Sequence, residues 1–233
     1  HSNVRSFTLD QNQLMADYAR VLALAALSRL TERNTPVNLV TGLPVNDYRR
    51  HREELAETLK GKHEVTLVDA KEQRSETVVA VNQVRVIPQP FGSLFDRMLN
   101  DAADVSAGRF AREKVGIIDV GFRTADYAIA DHTRFSARGS ATTEAGVSRA
   151  FSMVAARLKE QSGVDVELYR LYRAVESGSI KIRGRRYDLA EMTREVFTQL
   201  AAAIAADVER LWHDDWDIDV VLVCNDEEMN DEL

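Results

Sequence analysis

Segments of strand length alternate with helical segments along this chain, and this alternation limits its fold more than any other feature. Three of residues 37–40 are apolar, and Gly42 and Pro44 follow, which predicts a buried strand and a turn. Apolar residues recur at helical spacing between Met192 and Leu211, which predicts a long helix over residues 189–212. Because strands that alternate with helices form open sheets covered by helices, the sequence predicts the α/β class.

The same periodicities predict the remaining elements and a domain boundary. Helices are predicted over residues 10–31, 47–60, 92–104, 147–158 and 166–176. Strands are predicted over residues 63–69, 76–88, 115–119, 124–130 and 218–223, with a hairpin over 180–187. The residues between 130 and 147 are predicted to be a polar loop. A charged stretch at 111–114 predicts two domains, residues 1–112 and 113–233.

The composition predicts a large folded body and argues against two kinds of partner. Of the 233 residues, 45% are hydrophobic and 29% are charged, so a sizeable core can be buried beneath an ordinary surface. The net charge of -7 and the lack of a basic stripe argue against direct nucleic-acid binding. No apolar run approaches the roughly 18 residues of a membrane span, so no membrane partner is expected. Cys224 is the only cysteine, which favours the reducing cytoplasm.

Residues 115–126 carry the pattern that says most about chemistry. A predicted buried strand places Asp119 at its end, and Gly121 lets the backbone turn tightly beside it. Successive amides in such a turn can point at one anion, and the carboxylate can hold a hydrated divalent cation. The same Asp-x-Gly-x-x-Thr pattern between two strands is also compatible with a plain hairpin turn. From these residues alone, both interpretations stay open.

The order of several motifs resembles the ParM-type plasmid-segregation group of bacterial and archaeal actin-like ATPases, within the actin, heat-shock chaperone and sugar-kinase superfamily. Residues 115–126 resemble the second phosphate-binding loop of that superfamily. Residues 37–45 resemble a first-domain strand ending in Thr-Gly-Leu-Pro, and residues 84–92 and 172–178 also fit the group. The resemblance spans residues 13–224. It implies a two-domain actin-like ATPase fold with ribonuclease-H-like cores, and ATP and Mg in the cleft between the domains.

The resemblance also implies roles for individual residues. Asp119 would hold Mg through water near the attacking water, and Gln89 would orient that water. A neutral glutamine is a poor proton acceptor, which suits slow hydrolysis in which positioning dominates. Gly146 would lie at a helix N-terminus, where the dipole favours anions. Without the resemblance, Gln89 and Gly146 are ordinary residues at helix starts. The implied nucleotide-binding set is Asp119, Gly121, Phe122, Arg123, Thr124 and Gly146.

Two features of the family are missing from the sequence. Residues 1–12 contain no Asp-x-Gly pattern of the first phosphate loop. The last apolar strand is followed by the acidic residues 225–228 instead of the glycines that cup adenosine in the family. We expect that intervening residues are absent from the chain, with a degenerate relative as the alternative. In either case we expect this chain to bind ATP weakly or not at all.

Three functional hypotheses remain. The first is an actin-like protein that binds and hydrolyses ATP, self-associates into filaments and segregates plasmid DNA through a DNA-binding adaptor. The second is a kinase-like member of the superfamily, although no catalytic aspartate in a substrate pocket is evident. The third is a non-polymerising scaffold of actin-like fold with degenerate nucleotide binding.

Two charged segments have no role in these hypotheses. Arg183, Arg185 and Arg186 form a basic hairpin tip, which is either solvated or in contact with a neighbouring subunit. Four aspartates surround Trp216 in residues 214–219, and we expect a solvated loop between a helix and a strand. The segment lacks the regular spacing and the glycine of a calcium-binding EF-hand loop.

Overall fold

The chain folds into two compact units, residues 1–89 and 90–233. The structure, a computed structural model, describes residues 17–32, 35–99 and 108–225. The predicted domain boundary between residues 112 and 113 stays a prediction. None of the described helices is long and apolar enough to cross a membrane.

The first unit contains a three-stranded sheet with two helices. Its elements are α1 (Asp17–Leu30), β1 (Pro36–Leu43), α2 (Val45–Leu59), β2 (Gly61–Val68) and β3 (Arg74–Pro88). The strand order is β1-β3-β2, in which β1 runs parallel and β2 antiparallel to β3. Leu24 and Leu27 of α1 pack with Val79 and Val81 of β3 in one buried cluster. A second cluster contains Leu43 of β1 with Leu55 and Leu59 of α2.

The second unit contains a four-stranded sheet, a hairpin and four helices among its described residues. Its elements are α3 (Phe91–Met98), β4 (Lys114–Val120), β5 (Ala125–Asp131), β6 (Arg134–Thr143), α4 (Val147–Ser162), α5 (Leu168–Glu176), β7 (Ser179–Ile182), β8 (Arg185–Asp188), α6 (Ala190–Trp212) and β9 (Val220–Asn225). The strand order is β6-β5-β4-β9. Strands β4, β5 and β6 are antiparallel neighbours, and β9 runs parallel to β4.

The core of the second unit lies between its sheet and helices α4 and α6. Strand β5 is buried along its first six residues, because strands on both sides and helices cover it. From α6, the predicted apolar stripe buries Met192, Val196 and Leu200. Val154 and Leu158 of α4 are fully buried in the same cluster.

The predicted α/β class is confirmed, and one predicted loop is wrong. Strand β6 occupies residues that we expected to be a polar loop. It contains few large apolar residues and lies at the edge of the sheet, where β5 is its one neighbouring strand in the described part of the chain. The predicted helix over 92–104 ends at Met98, since Leu99 adopts an extended conformation. Residues 100–104 of that helix and 10–16 of the first helix lie outside the described residues.

Candidate functional site

The segment that joins β4 to β5 is a tight turn closed by its own backbone. Strand β4 places the half-buried Asp119 near its end, one residue before Val120. The Gly121 amide donates a hydrogen bond to the Thr124 carbonyl oxygen at 2.9 Å. A Cβ atom on Gly121 would lie 3.3 Å from that oxygen, so a side chain would crowd the turn. Because residues 121–124 resemble a phosphate-binding loop in sequence, they are called the phosphate loop below.

The phosphate loop is fastened to the beginning of α4 by two hydrogen bonds and one close contact. The Val147 amide donates to the Gly121 carbonyl at 3.1 Å, and the Ser148 amide donates to the Phe122 carbonyl at 2.7 Å. A Cβ atom on Gly146 would lie 2.1 Å from the Arg123 carbonyl carbon and 2.5 Å from the Thr124 nitrogen. Only glycine therefore allows the loop backbone to pass this close to the helix.

The hydrogen bonds at this helix N-terminus determine which amides remain for a ligand. The first amides of a helix have no partner within the helix, and here Val147 and Ser148 use theirs to hold the loop. The Phe122 amide, by contrast, donates no hydrogen bond within the described part of the chain. The geometry thus explains Gly146 by close packing. The expected anion-binding role of Gly146 stays a prediction.

A row of polar residues crosses the sheet beside the phosphate loop. Asp119 lies directly opposite Asp126 of β5 and Cys224 of β9, and Asp126 lies opposite Thr142 of β6. Opposite residues on adjacent strands share one face of the sheet. Asp126 is 4% exposed, and its Oδ1 atom accepts a hydrogen bond from Thr142 Oγ1 at 2.5 Å. The sequence analysis missed this second carboxylate, because Thr142 belongs to the strand that was predicted as loop.

Aromatic contacts connect the phosphate loop to the helices of the second unit. The Phe122 ring, 36% exposed, meets the Tyr172 ring of α5 edge to face at 5.9 Å. Tyr172 in turn meets Phe151 of α4 at 4.5 Å. Burial raises the pKa of the Tyr172 hydroxyl, which keeps it neutral at physiological pH. The contact with Tyr172 therefore fixes the Phe122 ring, while the Phe122 amide donates no hydrogen bond in the described part of the chain.

Gln89 is the candidate residue of the first unit. It follows β3 directly, and its amide donates to the Leu43 carbonyl at the end of β1 at 2.8 Å. A Cβ atom on Gly42 would lie 3.3 Å from the Gln89 Cα atom, so the two backbones pack closely. The Gln89 side chain is exposed. Its backbone is thus fixed by β1, and its amide group is accessible to water.

Among the described residues, no group of three or more His, Cys, Asp or Glu side chains is arranged to hold a metal ion. A cation at Asp119 would therefore take most of its ligands from water or from a bound nucleotide. The expected contact of Asp119 to Mg²⁺ through water stays a prediction.

Two family models match different parts of the chain. Residues 1–92 match the N-terminal domain of actin-like proteins. Residues 117–224 match the C-terminal domain of the MreB-like archaeal actin homologue. No curated protein matches the chain in sequence.

Solved structures of actin-like proteins share the fold of the chain. Ta0583, an archaeal actin homolog in complex with ADP, has a TM-score of 0.71 at 16% identity, over 91% of this chain and 66% of that one. The pCBH ParM non-polymerisable quadruple mutant has a TM-score of 0.71 at 23% identity, over 92% of this chain and 66% of that one. The structure of a 15-stranded ParM filament from Clostridium botulinum has a TM-score of 0.68 at 22% identity, over 92% of this chain and 64% of that one.

These comparisons confirm the predicted actin-like fold. The chain spans just under two thirds of the length of the three solved proteins. The two family models match consecutive segments and describe the N-terminal and C-terminal domains of one class of protein. The chain is thus similar to actin-like proteins over residues 1–92 and 117–224, and it shares their fold.

Proposed function

We propose that this protein binds and hydrolyses ATP with Mg and assembles into filaments, as a ParM-type actin-like ATPase of plasmid segregation. One observation carries the proposal, namely the close contact between the phosphate loop and Gly146 at the start of α4. A plain hairpin turn would not need a glycine from another element against its backbone. The contact holds residues 121–124 in one conformation, which a loop that binds phosphate requires.

The loop has the chemistry to bind phosphate. The Phe122 amide is available to an anion, and Arg123 adds an exposed guanidinium beside it. Such amides stabilise negative charge without reorganising when the ligand arrives. In this proposal the backbone of Gly121, Phe122 and Arg123 contacts the β- and γ-phosphates, with Thr124 closing the turn. ADP in the Ta0583 structure supports nucleotide as the ligand.

The opposed carboxylates of Asp119 and Asp126 support a cation in the site. Like charges directly opposite on neighbouring strands destabilise a sheet, and a divalent cation relieves that repulsion. In this proposal Asp119, half-buried near the end of β4, holds the hydrated ion. Mg²⁺, when bound, neutralises charge that develops on the phosphates. In this proposal Gln89 orients the attacking water without serving as a strong base.

Assembly is supported by the relatives. Two of the three solved structures described above are ParM proteins, one of them a filament. We propose a cytoplasmic filament that carries plasmid DNA through a DNA-binding adaptor, because the net charge of -7 argues against direct DNA contact. A non-polymerising scaffold or a kinase-like member of the superfamily is the alternative.

Titration calorimetry with Mg-ATP tests the proposal on this chain. We expect weak, Mg-dependent binding, with a Kd on the order of 1 mM, because only part of the family's phosphate and adenosine contacts is present. Asp119→Ala should abolish the Mg dependence. Micromolar binding that survives Asp119→Ala would contradict the assigned site. A complete lack of Mg-dependent binding would favour the scaffold.

A further inference from the structure

The hairpin formed by β7 and β8 ends in a cluster of positive charge. Residues 181–186 contain four cations and no acidic residue, although the chain as a whole has a net charge of -7. The cations are all exposed, and they are Lys181, Arg183, Arg185 and Arg186. None of them forms an ion pair in the described part of the chain. Residues 181–186 are called the basic tip below.

The basic tip is held in place by the core of the second unit. Ile182 is 8% exposed and belongs to the main buried cluster of the unit. At the base of the hairpin, the Leu189 amide donates to the Gly178 carbonyl at 2.9 Å. The Arg185 guanidinium lies 5.2 Å from the centre of the Tyr187 ring. Because the hairpin is already ordered, little conformational entropy is lost when a ligand binds to it.

Two features of the basic tip cost stability when no ligand is bound. Lys181 and Arg186 lie directly opposite each other on β7 and β8, and like charges in such a pair repel. The Arg186 Nε atom donates to Ser179 Oγ at 3.0 Å, which orients the guanidinium without neutralising it. Arg183 has a φ of 47°, in the left-handed region that glycine and asparagine adopt more readily. A bound anion would relieve the repulsion between the two strands.

The acidic residues near the hairpin do not neutralise the basic tip. Asp165 and Glu167 line a groove beside β7 that also contains two cations of the tip. Asp165 pairs with Lys159 at 2.6 Å. Glu167 pairs with Arg170 at 3.7 Å. Asp188, at the base of β8, accepts a backbone amide at the start of α6 at 2.9 Å. Each of these carboxylates has a partner outside the tip, so the tip keeps its positive charge.

The arrangement of the cations fits the phosphates of a DNA duplex better than a flat anionic surface. Lys181 and Arg186 share one face of the hairpin, and Arg185 shares the opposite face with Tyr187. Arg183 adds a cation in the turn between the strands. A flat membrane meets only one of these faces, whereas phosphates on the two sides of a DNA groove meet both. The major groove, about 12 Å wide, admits a two-stranded ribbon.

We infer that the basic tip binds the phosphate backbone of duplex DNA. Three of its four cations are arginines, whose guanidinium groups bind phosphate oxygens through paired hydrogen bonds. The net charge of -7 argues against DNA binding by the whole surface, but at physiological ionic strength charges more than about 8 Å away are largely screened. The contact is independent of DNA sequence and needs neither ATP nor assembly. It goes beyond the proposed function, in which an adaptor reaches the DNA.

Fluorescence anisotropy of a short labelled DNA duplex tests the contact, with the full chain and without nucleotide. With about four phosphate contacts, binding should weaken about 150-fold as salt rises from 50 to 200 mM. Arg183→Asn and Arg186→Gln should each weaken binding about tenfold at 50 mM salt and reduce the salt slope by about one. Arg50→Gln, at an exposed cation of α2, is the matched control, because it changes the net charge equally and should bind like wild type.

Arg183→Asn also separates loss of charge from damage to the fold. Asparagine adopts the left-handed conformation more readily than arginine, so the unfolding temperature should equal or exceed that of wild type while DNA affinity falls. A lack of binding at the lowest salt concentration, or variants that keep the wild-type salt slope, would overturn the inference. Tighter binding to vesicles of anionic phospholipid or to polyglutamate than to the duplex would also overturn it. Because no nucleotide is present, these outcomes do not bear on the proposed ATP binding.

Discussion

The two ends of strand β4 are held in different ways. Side-chain contacts hold its beginning, where Lys114 pairs with Asp215 and Asp217, and where Trp212 packs over the sheet. At its end, the phosphate loop is held by backbone hydrogen bonds and by the close approach of Gly146. The first end has satisfied its charges internally. At the second end, the Phe122 amide donates no hydrogen bond in the described part of the chain, so a ligand can use it.

The charged groups at the beginning of β4 are paired with one another. Burial would raise the pKa of the Asp215 carboxyl, but hydrogen bonds from Lys114 and Arg138 outweigh it and hold the pKa below its usual value. Burial would lower the pKa of Lys114, yet Asp215 and Asp217 raise it. Trp212 Nε1 also donates to the Gly139 carbonyl at 2.7 Å. We call this set of contacts the base clasp.

If the two ends of β4 are held in these different ways, Gly146→Ala should have the largest effect on stability and ligand binding. The new Cβ atom would meet the Arg123 carbonyl carbon at 2.1 Å, so either the loop or α4 must move. We expect a loss of about 3 kcal/mol in unfolding free energy, the upper range for overpacking, together with loss of Mg-ATP binding. Gly92→Ala is the matched control in the same unit, because no atom lies within 4 Å of the added carbon. Urea denaturation measures both, and equal stabilities would refute the close contact.

Breaking the base clasp should reduce stability and leave the ligand end unchanged. Asp215→Asn removes a carboxylate whose side chain is 3% exposed and that pairs with Lys114 and Arg138. Because Arg138 and Asp217 beside it are exposed, we expect the free energy of unfolding to fall by about 2 kcal/mol, which is less than for a deeply buried pair. Asp165→Asn, whose carboxylate pairs with Lys159 and is 80% exposed, should change stability by less than about 1 kcal/mol.

The difference in unfolding free energy between wild type and Asp215→Asn should depend on pH, and this dependence is an independent test. The folded pKa of Asp215 is lowered, so its contribution is fully present above the unfolded value of about 3.9. It is lost as the pH falls through the folded pKa. The stability gap between wild type and Asp215→Asn should therefore be constant near neutrality and shrink below about pH 4. A gap that grows with acidification would show that Asp215 is not held ionised by its partners.

Local patterns made much of this fold predictable from sequence, and long-range contacts set the limit. The stripe of α6 repeats within one helix, and the apolar run of β4 ends at its own Asp-x-Gly turn, so both could be recognised locally. Asp215 was expected in a solvated loop, because nothing near it in sequence indicates its partners. Lys114 is 101 residues away and Arg138 is 77. Burial that depends on such distant partners leaves no periodic signal.

The candidate site shows the same contrast between local patterns, which the sequence reveals, and long-range contacts, which it does not. The spacing of Asp119 and residues 121–124 predicted either an anion-binding turn or a plain hairpin turn, and the resemblance to the second phosphate-binding loop favoured the first. The reason that Gly146 must be glycine comes from the backbone of Arg123, which only the folded structure brings beside it. Asp126 was overlooked because its partner Thr142 lies on β6, an edge strand with a polar sequence.

At the ligand end, Asp119→Ala should impair chemistry without unfolding the sheet. It removes the proposed contact to hydrated Mg²⁺, and ATP turnover should fall at least about tenfold, roughly 1.4 kcal/mol in the barrier. Stability should hold or rise slightly, because the repulsion with Asp126 is also removed. Phosphate release measures turnover, and thermal unfolding of the same preparation measures stability. Unchanged turnover would remove Asp119 from the site.

The smallest effect should come from Gln89→Ala, which extends the comparison to the first unit. Its backbone is fixed by the Leu43 carbonyl, and its side chain is exposed, so truncation should leave stability nearly unchanged. If the amide group orients the attacking water, hydrolysis should slow several-fold while Mg-ATP affinity stays within about twofold, because the water and not the nucleotide loses its contact. In a filament-forming protein, slower hydrolysis should lengthen filament lifetime, which light scattering after ATP addition would follow. Gln83→Ala, an exposed glutamine on β3 of the same unit, is the control and should change neither quantity. Equal losses of affinity and hydrolysis in Gln89→Ala would instead assign Gln89 a structural role.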